Sequence, residues 1–173
     1  MKHDNRKTIV LGGGCFWCIE AVYQRVKGVE KVVSGYAGGA KDNPTYHDHG
    51  DHAEVVQLTY DENIVSIETI FEMFFYTHNP TTINAQGNDY GEQYRSIILC
   101  AENELETART AKQKSQELWD KPVVTEIKIL DKFYEAEDYH QDYYNQNQSA
   151  GYCQAIINPK IAKFEKKFAD FLK

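Results

Sequence analysis

Residues 12–23, GGGCFWCIEAVY, place a cysteine after three glycines, two large aromatics behind it, and a second cysteine three positions on. A thiolate at the first turn of a helix is stabilised by unpaired backbone N–H groups and the helix dipole. That setting lowers a thiol pKa from about 8.5 into the range of roughly 3.5–7.5. Cys15 reads as a nucleophile there, against the alternative of a buried and inert thiol. Cys15 and Cys18 form a C-x-x-C pair, a spacing used by redox dithiols and by half of a zinc site. A structural zinc needs two further ligands, and no second C-x-x-C or paired-histidine motif follows. The stretch HDHGDH (47–52) gathers His47, His49 and His52 with Asp48 and Asp51, and reads as a polar, solvated loop between strands. Phe16 and Trp17 are consecutive, so on a helix their side chains diverge by about 100° and at least one borders the cysteine. A Phe–Trp wall beside a thiolate suits a small apolar group such as a methyl.

These residues need elements to hold them. KTIVLGG (7–13) predicts a buried strand running into a tight glycine turn. The spacing of Phe16, Ile19, Val22, Tyr23 and Val26 predicts a helix ending near Gly28, with Cys15 at or just before its N-terminus. Strands are expected at 29–39 and 53–61, then a helix over 66–78 with Ile67, Ile70, Phe71, Phe74 and Phe75 on its apolar face and an imperfect capping box at its start. Residues 79–93 read as a long polar loop, the kind that carries function or moves. A strand at 94–101, an amphipathic helix at 102–118 and a strand at 123–130 follow. A last helix, 159–172, would pack by Ile161, Phe164, Phe168 and Leu172. The order βαββαβαβ predicts an α+β domain with helices on one side of a sheet.

The chain has 173 residues, 42% of them hydrophobic, without a repeat, low-complexity tract or linker. That predicts one domain spanning 1–173. A net charge of -7 argues against nucleic acid or an anionic membrane as partner, and no stretch has the apolar length of a membrane span. The N-terminal MKHDNRKTIVLGGGC loosely mimics a secretion signal, but its apolar part is only Ile9-Val10-Leu11. An export signal needs more, so a cytoplasmic protein is expected. The four cysteines, at 15, 18, 100 and 153, are then expected to be free or transiently oxidised rather than a disulfide framework.

The motifs GCFWC, GYAGG, NPTY, HAEVVQLTYD, GNDYGEQYRS and FYEAEDYHQDYY occur in the order found in peptide methionine sulfoxide reductases of the A type. The resemblance runs from about residue 8 to 158, and the motifs are long and collectively specific. It implies an α+β fold, a mixed sheet with helices packed on a ferredoxin-like core, then an irregular C-terminal segment and a final helix. The implied activity is reduction of methionine (S)-sulfoxide, in oxidised proteins and as the free amino acid, in repair of oxidative damage. Carried over by position, the nucleophile is Cys15, the methyl-binding aromatics are Phe16 and Trp17, and the acid is Glu54. The hydroxyl donors are Tyr36 and Tyr94, and the buried aspartate is Asp89.

The chemistry asks for these types. A sulfoxide sulfur accepts a thiolate when its oxygen is protonated as it departs, which calls for a general acid. Glu54 fits that role if burial raises its pKa. Tyr36 and Tyr94 would donate to the same oxygen, and Asp89 would orient water or neighbouring groups. The product is a sulfenic acid on Cys15, which a second thiol converts to a disulfide for thioredoxin to reduce. No metal or cofactor is implied, and a monomer is expected.

The family usually carries glycine where this chain has Cys18. Cys153, in GYC after the polar NQNQSA, matches the place of a resolving cysteine on a mobile segment. It is expected to resolve first, with Cys18 as competitor or as a relay step, while Cys100 reads as a buried strand thiol. Two other classes compete with this reading. A thioredoxin-like oxidoreductase would use Cys15 and Cys18 alone and would not need Glu54, Tyr36 or Tyr94. A metal-binding module would purify with stoichiometric zinc.

Overall fold

A computed structural model describes residues 5–173; the first four residues of the N-terminal stretch discussed above lie outside the described residues. The chain runs through β1 (Arg6–Gly12), α1 (Phe16–Tyr23), β2 (Val29–Ala37), β3 (Ala53–Asp61) and α2 (Ile67–Thr77). It continues through a small hairpin of β4 (Ala85–Gln86) and β5 (Asp89–Tyr90) into β6 (Ile97–Cys100), α3 (Leu105–Ser115), β7 (Glu126–Ile129) and β8 (Phe133–Glu135). The short α4 (Tyr143–Gln146) and then α5 (Asn158–Lys167) close it, with a π-helical turn over Cys153–Ile157 between them.

Six strands form one sheet in the order β7-β6-β1-β3-β2-β8. All neighbours are antiparallel except β6 and β7. The inner four, β6-β1-β3-β2, with α1 and α2 as connections, make the expected ferredoxin-like βαββαβ unit. Strand alternation sorts the side chains between the two faces. Ile9, Leu11, Tyr36, Val56, Leu58 and Tyr60 face the helices, whereas Val10, Ala37, Ala53, Val55, Ile97 and Leu99 form a smaller core on the other face, covered by Leu130 and Phe133. Residues of α1, α2, α3 and α5 all enter the larger core, so the helices do lie on one side.

Several boundaries differ from the expectation. The first helix stops at Tyr23 instead of running to near Gly28, and the helix expected over 102–118 is α3 flanked by 3₁₀ turns at Glu102–Glu104 and Gln116–Leu118. Tyr94 belongs to a 3₁₀ turn at Glu92–Tyr94 rather than to β6. The strand expected from 123 starts at Glu126. The last helix stops at Lys167, and a 3₁₀ turn at Ala169–Phe171 follows it. The polar loop 79–93 contains the β4–β5 hairpin. Strand β8 was not anticipated, because three residues are too few to show an alternation. At the start of α2, Ser66 accepts the Thr69 N–H at 3.1 Å, a single-sided cap instead of a reciprocal box.

Candidate active site

The glycine run delivers Cys15 to the helix-bearing face of the sheet, and each glycine is demanded by a neighbour. A Cβ on Gly12 would meet the Glu54 carbonyl oxygen at 2.8 Å, and one on Gly13 the His78 ring at 2.8 Å. Gly14 has φ +90 and lies against the Gln86 side chain, so it needs both a small residue and left-handed backbone freedom. Its N–H donates to the Tyr94 carbonyl at 3.2 Å. Cys15 then takes the N-cap position of α1 with extended backbone (φ -62, ψ 130) and is 8% exposed.

The register of β2 and β3 sets Tyr36 directly opposite Glu54 on the same face. Glu54 is buried, and its Oε1 accepts the Phe16 N–H at 3.2 Å. Burial pushes the Glu54 carboxyl up to about 8 despite that bond. The acid is therefore mostly protonated at neutral pH and stands one residue from the cysteine.

The Cys15 thiol goes the other way from the helix-terminus expectation. Burial, the hydrogen bond with Cys18, and the charges of Cys18 and Glu54 push it well above its usual value. Cys18 is drawn down to about 7 by the Cys15 hydrogen bond, Lys160 and Tyr152. The pair thus shares a proton, with the thiolate favoured on Cys18.

Phe16 and Trp17 both reach one aromatic cluster. Phe16 lies 5.0 Å from the His140 ring, and Trp17 stacks on Tyr143 at 3.7 Å and 8°. Tyr46 is 6.4 Å from each. The Trp17 indole N–H donates to His140 Nδ1 at 3.0 Å, so a neutral His140 carries its own proton on Nε2. That buried nitrogen has no partner among the described residues.

Tyr36 is buried and its hydroxyl donates to Glu137 at 2.9 Å, so its proton is already engaged. Tyr94 is half-buried, and its hydroxyl is pushed up by burial and by the charges of Glu54, Tyr46, Cys15 and Asp89. Asp89 is half-buried rather than buried and accepts the Tyr152 hydroxyl at 2.9 Å. That hydroxyl also lies 3.7 Å from Cys18 Sγ. Cys153 is fully buried in the π-helical turn, where its thiol is raised by burial and by the Cys18 charge. Cys100 is buried at the end of β6. In the histidine loop, buried His52 accepts the Gly39 N–H at 3.0 Å through Nδ1 and bonds the Lys41 carbonyl through Nε2 at 2.7 Å. It staples the loop, and no metal-binding group of His, Cys, Asp and Glu occurs among the described residues.

The geometry thus joins Cys15, Phe16, Trp17, Cys18, Tyr36, Glu54, Asp89 and Tyr94 through shared hydrogen bonds, ring contacts and electrostatics. Tyr46, Glu137, His140, Tyr143 and Tyr152 were not singled out from the sequence. For the first four the one signal was the density of Tyr, His and acidic residues in FYEAEDYHQDYY and in NPTY; Tyr152 stood only as the neighbour of Cys153 in GYC.

The sequence model of the peptide methionine sulfoxide reductase family matches residues 7–172. The chain is 50% identical to the peptide methionine sulfoxide reductase MsrA of Polynucleobacter asymbioticus, over 94% of this chain and 89% of that one. Its fold is similar to Mxr1 from Saccharomyces cerevisiae in reduced form, with a TM-score of 0.82 and 33% identity over 88% of this chain and 91% of that one. Mxr1 in complex with Trx2 is similar at a TM-score of 0.60 and 26% identity, over 83% of this chain and 89% of that one.

Proposed function

The chain belongs to the peptide methionine sulfoxide reductase family, and from that premise we propose that it reduces the S epimer of methionine sulfoxide by the following steps. The observation that carries the reading is a buried Glu54 tied to the backbone of Phe16, next to Cys15, where burial raises its carboxyl to about 8.

The substrate methyl packs on Phe16 and Trp17, which brings the sulfoxide sulfur to Cys15. The Cys15 proton passes to Cys18, and the Cys15 sulfur bonds to the substrate sulfur as Glu54 gives its proton to the departing oxygen. Tyr94 donates to that oxygen, and Tyr36 does so after releasing Glu137. The oxygen leaves the substrate sulfur as hydroxide and adds to the Cys15 sulfur as the sulfur–sulfur bond breaks with its electron pair going to methionine. Cys15 thus ends as sulfenic acid, the substrate having gained two electrons and the thiol having lost them.

Cys18 resolves first. It contacts Cys15 from one helical turn away, and its pKa of about 7 keeps thiolate available near neutral pH. Its attack forms the Cys15–Cys18 disulfide and releases the sulfenic oxygen as water. Cys153, whose thiol feels Cys18, then attacks the Cys18 sulfur, forms the Cys18–Cys153 disulfide and returns Cys15 as thiol. Thioredoxin is the dithiol that reduces this disulfide, a reading supported by the Mxr1 complex with Trx2. The chemistry calls on no metal or cofactor, and the enzyme works as a cytoplasmic monomer on oxidised proteins and free methionine sulfoxide.

The test is a single turnover without reductant on each epimer of methionine sulfoxide. With one equivalent of sulfoxide, one methionine per enzyme from the S epimer and none from the R epimer is expected; with excess S epimer a second follows, because the relay returns Cys15 as thiol. Equal yields from both, or none from either, would overturn the reading.

A further inference from the structure

Glu20 is a carboxylate with no part in the steps above, yet it is 1% exposed on the buried face of α1, beyond Cys18. Burying a carboxyl there is costly unless it is fully bonded, and Glu20 is. Its Oε1 accepts the Tyr143 N–H at 3.1 Å. Its Oε2 accepts the Asp142 N–H at 3.0 Å and the Ser34 hydroxyl at 3.2 Å. Two consecutive backbone amides converge on one carboxyl because Asp142 adopts a left-handed backbone (φ 55), a conformation uncommon for a non-glycine residue.

The bond pattern places Tyr143. Its ring stacks on Trp17 at 3.7 Å, the closest ring pair in the cluster. Residues 137–143 have little regular structure to fix them, so side chains from elsewhere must do it. Gln141 contributes by bonding both backbone groups of Ser34, accepting its N–H at 3.0 Å and donating to its carbonyl at 2.9 Å. Glu137 contributes as an acceptor, taking the Tyr36 hydroxyl at 2.9 Å and the Tyr46 N–H at 3.1 Å. From α1, Trp17 donates to His140 and Gln24, at the helix end, donates to the Asp142 side chain at 3.0 Å, while Glu20 takes the two backbone amides next to the Tyr143 ring.

We propose that Glu20 is a positioning residue for the substrate: through the amides of Asp142 and Tyr143 it holds the Tyr143 ring on Trp17 and so fixes the aromatic wall that receives the methyl group. The proposal rests on the reading that Phe16 and Trp17 form that wall. Glu20 touches neither the substrate nor a reacting atom. Its loss raises the substrate concentration needed and leaves the chemical step intact.

The chain has two tryptophans, so Trp119→Phe leaves Trp17 as the sole indole reporter. In that background Glu20→Gln replaces one acceptor oxygen by an NH₂ group that faces a backbone N–H. Acrylamide quenching of Trp17 is expected to rise and KM for methionine (S)-sulfoxide to increase about tenfold, the scale of one lost charge-assisted hydrogen bond. The saturated single-turnover rate is expected to stay within about twofold. Ser34→Ala removes one of the three donors and should give a smaller change of the same kind, which keeps the test valid if Glu20→Gln does not fold. Unchanged quenching in a folded variant overturns the proposal whatever KM does. A fall in the saturated rate also overturns it, since Glu20 would then act on chemistry. Raised quenching with unchanged KM overturns it by a different route: the tie would hold, but the wall would not be the substrate site.

Discussion

The backbone N–H of Phe16 donates to Oε1 of Glu54 at 3.2 Å, joining the first turn of α1 to β3 across 38 residues. One bond thereby fixes Glu54, the proposed acid, relative to the residue that follows Cys15. It also leaves the other carboxyl oxygen to carry the proton. Glu54→Gln keeps an acceptor for Phe16 and removes only the transferable proton. Methionine formation in a single turnover should slow by about 10²–10⁴-fold, the usual worth of a general acid. Substrate affinity, measured by titration on the slow variant, should hardly move. Weaker binding with normal chemistry would remove Glu54 from the acid role.

The pH dependence follows from the two groups that face each other across that bond. Attack needs the Cys15–Cys18 pair to have lost one proton, and Cys18 is drawn down to about 7. Glu54 must keep its proton, and burial holds it up to about 8. The single-turnover rate should therefore rise with pH through the pair's first ionisation and fall as Glu54 ionises, with a narrow maximum between. Glu54→Gln should erase the alkaline fall. Cys18→Ser should shift the acid limb upward, because burial raises the Cys15 thiol and its proton acceptor is gone. A stopped-flow profile that is flat from pH 6 to 9 would contradict both assignments.

The thiol sequence is read by counting free thiols after one turnover without reductant. At one equivalent of sulfoxide, wild type should lose two thiols per methionine. Cys153→Ser should also lose two, because Cys18 still closes the first disulfide. Cys18→Ser should lose one and accumulate a sulfenic acid that dimedone traps. The reverse result would make Cys153 the direct resolver, and no methionine from Cys15→Ser is the expected background.

Much of this site was legible in the chain because it depends on short-range rules. Strand alternation assigns Tyr36 and Glu54 to one face, and the helix that begins at Phe16 puts Cys15 at its terminus. Cys18 shows where such rules end. Its contact with Cys15 could be guessed from the spacing. Its effect on where the shared proton sits depends on Lys160 and Tyr152, more than 130 residues away. The aromatic wall was hidden for the same reason. His140 and Tyr143 lie in a stretch with no period to read, and they meet Trp17 where Glu20, Gln24, Glu137 and Gln141 pin that stretch to α1 and β2. Asp89, expected to be buried, is half-buried because the β4–β5 hairpin brings it to the rim of the fold.

The run Gly12-Gly13-Gly14 carries a sharper claim than flexibility. Gly13 does not sit at positive φ; what excludes a side chain is the His78 ring, 2.8 Å from where a Cβ would stand. That ring has no room to yield. Its Nδ1–H donates to the Phe74 carbonyl at 2.6 Å, and its Nε2 accepts from the Ser96 hydroxyl at 2.7 Å. Burial lowers its pKa to about 3, so the neutral ring keeps this arrangement at every working pH. Gly13→Ala must therefore move the glycine loop, and Cys15 moves with it. A loss of about 1–3 kcal/mol in stability is expected, the scale of an overpacked site, together with a slower single turnover at saturating substrate. Gly151→Ala is the control, since a Cβ there meets nothing within 4 Å and its φ is not positive. It should leave stability unchanged or raise it by about 0.4–1 kcal/mol. If chemical denaturation and single-turnover rates of Gly13→Ala match wild type, the His78 ring is not the wall that holds the Cys15 loop.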